Sequence, residues 1–114
     1  RQAHGERLVL LTGCGVISGP NRVPGLLGLV DDRLVYRAMV IREQGEIPLA
    51  EVGTWRILPT KESEHRRVHK YFNAQVIELQ QSGETRLFVI ADADAARWQS
   101  AMDAATGGER KRVS

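Results

Sequence analysis

Apolar residues along this chain come in short runs, separated by glycine, proline and charged clusters. That spacing predicts strands rather than long helices. Residues 8–12 form the first run, with Val16 and Ile17 placed to extend it. Residues 26–30 and 34–41 form the second and third, joined across Asp31-Asp32, which reads as a two-residue hairpin turn. "REQGE" (42–46) is a polar turn with Gly45 at its tip. Residues 47–49 make a short fourth strand, and Pro48 predicts an edge position for it. "TWRIL" (54–58) is the fifth strand, stopped by Pro59. A charged segment, "TKESEHRRVHK" (60–70), precedes the sixth strand over 71–80. "QSGE" (81–84) is a turn, and 85–91 is the seventh strand.

The hydrophobic period then changes. Ala95, Trp98, Met102 and Ala105 follow at spacings of three, four and three, which places them on one stripe of a helix. Asp92 or Asp94 is the expected N-terminal cap, and Gly107 and Gly108 the expected stop. "ERKRVS" is a polar tail. The predicted fold is mainly β: seven antiparallel strands in a closed or nearly closed structure, capped by one C-terminal helix. Residues 1–106 are expected to form the domain and 107–114 the tail, with Trp98 as a core residue.

The glycine cluster "TGCGVISGPNRVPG" (12–25) raises a different possibility. Gly13, Gly15 and Gly19 approximate a dinucleotide-binding turn, and Asp31-Asp32 follows about 18 residues on. Such a site needs a helix after the glycines. Pro20 and Pro24 would each break one, and Gly19 and Gly25 disfavour it further. No alternating βαβ pattern follows. The cluster is therefore expected to be a flexible strand-to-strand loop, and no cofactor is expected.

A chain of 114 residues fits one domain, and its 42% hydrophobic and 26% charged content is that of an ordinary globular protein. No apolar run approaches the ~18 residues of a membrane span. No signal peptide is visible, and the chain begins at Arg1, as a fragment of a longer protein would. The net charge of +2 does not by itself point to nucleic acid, and the few aromatic residues do not interleave with the basic ones, so no nucleic-acid partner is expected. Thirteen of the 16 basic residues are arginine, a bias that, with abundant Ala, Gly and Val, points to a GC-rich genome. Cys14 is the single cysteine, which rules out an internal disulfide and favours a cytoplasmic setting.

Candidate chemistry is sparse. Asp31 and Asp32 suit a turn, Asp92 and Asp94 a helix start, and the other carboxylates are scattered. Ser18 and Ser100 lack a nucleophile's setting, and Cys14 lacks a paired base. His65 and His69 stand four residues apart, a spacing that suits a metal on a helix, but no third ligand accompanies them. Neither catalysis nor a metal site is expected. The concentrated charge lies in Lys61, Arg66, Arg67, His69 and Lys70, set against Glu62 and Glu64. It reads either as a solvated loop or as a contact for an anionic partner, one that would strengthen as the histidines protonate near pH 6.

Three stretches together resemble the pleckstrin-homology superfamily, in its GRAM-like or bacterial PH-like branch. They are "GLLGLVDDRLVYR" (25–37), "IPLAEVGTWRI" (47–57) and "FVIADADAARWQSAMDAA" (88–105). Gly25, Asp31, Asp32 and Trp98 fall at the structural positions of these motifs. The resemblance implies two near-orthogonal antiparallel sheets forming a partly open barrel, capped by the helix. It also implies a non-enzymatic module that binds lipid, protein or peptide. Phosphoinositide-binding members carry a basic pattern across the first two strands. Here that loop holds only Arg22, and the loops expected at the uncapped end sum to about −1. The first expectation is thus a module that binds a protein or peptide segment or forms a homo-oligomer. The alternative is peripheral binding to anionic lipid through Lys61, Arg66, Arg67, His69 and Lys70, at the cytosolic face of a membrane.

Overall fold

The computed structural model describes residues 7–107. Seven strands run in chain order: β1 (Leu8–Ser18), β2 (Asn21–Val30), β3 (Arg33–Ala38), β4 (Gln44–Pro48), β5 (Val52–Pro59), β6 (Ala74–Gln81) and β7 (Glu84–Ala91). One helix, α1 (Ala95–Ala105), follows. All the pairings are antiparallel, in the order β4-β3-β2-β1-β7-β6-β5. The expected division into two sheets is replaced by one continuous sheet that does not close. Its hinge is β1, which pairs with β2 along nearly its whole length but meets β7 only at Gly15 and Val16. The β2–β4 wing folds over the β5–β7 wing. Inward residues of both, including Leu27, Leu34, Trp55 and Ile77, share one core with Trp98 and Met102 of α1. Tyr36 and Phe88 meet across the wings with ring centroids 5.3 Å apart.

Several boundaries differ from the pattern's expectation. The glycine cluster is not a flexible loop. It is the paired centre of β1 and β2, whose register runs on to Ser18 opposite Asn21. Gly19, at φ +59°, and Pro20 make the tight turn. Glycine serves there because φ is positive. The third strand ends at Ala38 rather than residue 41. The Ala38 N–H donates to the Glu43 carbonyl at 2.7 Å and the Met39 N–H to the Pro24 carbonyl at 2.9 Å, which turns the chain out of the sheet. The sixth strand starts at Ala74, not 71. The Asp31-Asp32 hairpin is present, with Asp31 at φ +52°. The Pro48 strand is at the sheet edge.

The helix stripe is as the spacing predicts, with Trp98 and Met102 fully buried and Trp98 Nε1 donating to Thr12 Oγ1 at 2.9 Å. Its start is not the expected side-chain cap. Asp92 accepts from Gln75 at 2.9 Å, and Asp94 pairs with Arg97 on the next turn. Gly107, at φ +79°, follows the last turn, and the Thr106 N–H returns to the Met102 carbonyl. Gly108 and the rest of the polar tail lie outside the described residues.

Candidate functional site

The charged segment after β5 decides where function can sit. It is a strap rather than a solvated loop. Val68, in the middle of its basic run, is fully buried against Val76, Leu87 and Val89 on the outer face of the β6–β7 pair. An apolar side chain buried on the far side of a sheet from the main core holds the strap down by about 2 kcal/mol. Two further anchors are polar. Thr60 Oγ1 donates to the Tyr71 carbonyl at 2.6 Å, closing the strap on itself. Ser63 Oγ donates to Glu78 Oε2 at 2.5 Å, and Arg56 Nε holds the other carboxylate oxygen at 2.7 Å. Glu78 is buried under the strap, and this pairing satisfies its charge.

The strap carries the candidate residues to three different fates. Arg67 Nη1 donates to the Gly19 carbonyl at 2.7 Å, tying the strap to the β1–β2 turn. His69 Nε2 lies 2.6 Å from the Ser63 carbonyl, to which it can only donate, so that nitrogen is committed to a proton and not to a metal lone pair. His65 precedes a single 3₁₀ turn (Arg66–Val68), so the two histidines do not share a helix face. Among the described residues no cluster of three potential ligands forms. Lys61 and Arg66 are exposed. Lys70 lies over the Tyr71 ring with Nζ 5.5 Å from the centroid.

Sequence reasoning set Arg22 aside as an isolated loop charge, away from the basic segment. The structure joins them. The Arg22 guanidinium carbon sits 5.2 Å from the centroid of the same Tyr71 ring. Two cations thus share one aromatic residue. Gly15 makes this possible: a Cβ there would come within 2.7 Å of Arg22 Cγ, so Arg22 lies across β1 only because that position has no side chain. Arg22, Lys70 and Tyr71 line a groove of about 740 Å³ between the β1–β2 hairpin and the strap, which ends toward Ala91 and Asp94.

Met39 and Phe72 line the same groove. Phe72 is 85% exposed, Met39 70%, Val40 72% and Ile41 45%. The pattern placed 39–41 and Phe72 inside strands, where they would be covered. The available signal was the polar pair Arg42-Glu43 directly after Ile41, although the rest of the expected "REQGE" turn, Gln44 to Glu46, is the start of β4, and an apolar run alone does not say where pairing stops. Cys14 also borders the groove, and burial pushes its thiol up to about 11 despite the opposing pull of Arg22. It is protonated near neutral pH and a poor nucleophile.

No family model matches the chain, and no curated protein matches it. Solved structures do. The C-terminal domain of an unknown protein from Leishmania infantum superposes with a TM-score of 0.66 at 18% identity, over 90% of this chain and 85% of that one. The hSac2 domain from human phosphoinositide phosphatase Sac2 superposes with a TM-score of 0.56 at 10% identity, over 96% and 73%. At these identities the likeness is one of fold: a mainly β domain of seven antiparallel strands with a C-terminal helix.

Proposed function

We propose that the domain is a non-enzymatic, PH-like interaction module that binds an anionic partner through the groove between the β1–β2 hairpin and the strap. The observation that carries this reading is the convergence of Arg22 and Lys70 on Tyr71. Among the described residues no carboxylate pairs with either cation there. Asp94, at the groove's end, pairs with Arg97, and Glu43 accepts from Ser18 at 3.3 Å. Charges held on a rigid ring and a buried anchor need little further ordering to meet an anion. The strand order and terminal helix support the PH-like reading, and one structural neighbour is a domain of a phosphoinositide phosphatase.

The test is amide chemical-shift mapping during titration with two soluble probes, a short polyglutamate peptide and a short-chain phosphatidylserine. Shifts at Gly13, Arg22 and residues 70–73 are expected, weakened by salt and removed by Arg22→Ala with Lys70→Ala. Shifts confined to other faces, or none with either probe, would overturn the reading.

A further inference from the structure

We infer that the groove takes its anionic partner as an extended acidic peptide, which adds a strand to the unpaired margin of β1 at Leu11 and Gly13 and sets a carboxylate against Arg22 and Lys70. The inference rests on the anionic-partner reading above and names the partner and its mode of binding. Its basis is the parting of β1 from β7.

The two strands pair at Gly15–Val89 and Val16–Phe88 and no further. Continued in register, Cys14 would meet Ile90 and Gly13 would meet Ala91. Instead β7 stays with β6 as far as Ala91 and then enters the 3₁₀ turn Asp92–Asp94. β1 stays with β2 past Gly13 to Leu8. The gap between them is the inner part of the groove, lined by Gly13 and Cys14 from β1 and by Val89, Ile90 and Ala91 from β7.

The side to which each β1 residue offers its backbone follows from its neighbours. In an antiparallel sheet the polar groups of successive residues point to alternate margins. Pro24 stands opposite Gly15, and its carbonyl accepts from Met39, on the side away from β1. Gly15 therefore turns its N–H and C=O away from β2, to the margin where it meets Val89. Gly13 and Leu11 turn theirs the same way, but among the described residues no strand pairs with them there. The Gly13 carbonyl accepts from Thr12 Oγ1 at 3.0 Å and keeps a second lone pair. Such a margin takes an extended chain, whose own N–H and C=O groups repeat at the matching spacing.

Charge and space select the occupant. Arg22 and Lys70 border the groove beside Gly13, so a segment lying along β1 meets two cations at that end. A Cβ on Gly13 would meet nothing nearer than the Gly25 carbonyl oxygen at 3.9 Å, so the fold itself leaves this surface open. Past Gly13 a second hollow, of about 510 Å³, is lined by Val9 and Leu10 of β1 and by the small residues Ala96, Ser100 and Ala101 of α1. A lipid headgroup would use Arg22 and Lys70 but has no backbone ladder to offer Leu11 and Gly13.

The experiment is amide hydrogen exchange on the whole chain, with and without a short end-blocked peptide of alternating glutamate and valine. In the free protein the Leu11 and Gly13 amides should exchange faster than those of Thr12 and Cys14, which face β2. With the peptide near saturation, exchange at Leu11 and Gly13 should slow about tenfold, while Thr12 and Cys14 change little. The same peptide N-methylated at every amide keeps its charge and lacks donors, and should bind about tenfold more weakly. Unchanged exchange at Leu11 and Gly13 in the complex, or equal binding of the methylated peptide, would overturn strand addition and leave a contact between charges. Binding of polyglutamate or short-chain phosphatidylserine, but not of this peptide, would likewise overturn it. Binding of none of the three would defeat the anionic-partner reading itself.

Discussion

Gly25 and Cys14 face each other across the β1–β2 ladder, and each shows how one atom governs this sheet. A Cβ on Gly25 would lie 2.5 Å from the Arg37 carbonyl oxygen and 3.0 Å from Ala38 Cα, both backbone. Backbone cannot swing aside as a side chain can. Gly25→Ala should therefore destabilise the domain by about 1–3 kcal/mol, read as a lower urea midpoint with an unchanged slope. Cys14 gives a pH signature. The unfolded thiol ionises near its ordinary 9.0, the folded one only near 11. Between those values the unfolded state binds fewer protons, so stability falls as pH rises through that window and is unaffected below it. The gap in thermal midpoint between the native protein and Cys14→Ala should shift against the native protein over that range. At this scale Trp98 was legible because its helical stripe is local. The meeting of Arg22 with Tyr71 was not, because it depends on a strap folding back over residues far away in sequence.

Among the elements, the strap departs most from its appearance in sequence. Its composition reads as solvated charge, and Lys61, Arg66, Arg67, His69 and Lys70 are indeed exposed. The anchors Thr60, Ser63 and Val68 are single buried positions in a polar run, without the periodicity that would announce them. Ser63→Ala would leave one oxygen of buried Glu78 without its donor, a loss of about 1–3 kcal/mol. The expected consequence is local. Hydrogen exchange should quicken at the His69 and Tyr71 amides, which bond within the strap, while amides of the β1–β2 ladder keep their protection. Equal acceleration throughout would mean that the strap and sheet open as one unit. The β1–β2 hairpin departs in the other direction: its glycines read as a loop, yet they lie in paired strands, and Gly15 among them leaves room for Arg22 to lie across the sheet.

For the whole molecule, the strand sequence and terminal helix were legible, since each element's pattern is local and their order is the order of the chain. That seven strands make one sheet rather than two was not, because it depends on β1 serving two neighbours, and only Gly15 and Val16 make the second pairing. Trp98 spans that junction, donating to Thr12 on β1 from inside the shared core. Trp98→Ala should cost about 3–5 kcal/mol, measured by chemical denaturation, and should unfold both wings in a single transition. A sheet that does not close leaves two outer strands, β4 and β5. Each ends in a proline, Pro48 and Pro59, which has no amide hydrogen to offer an incoming chain. Each outer margin of the sheet therefore offers a strand from another copy one donor fewer at its end, a local brake on edge-to-edge stacking of one domain on the next.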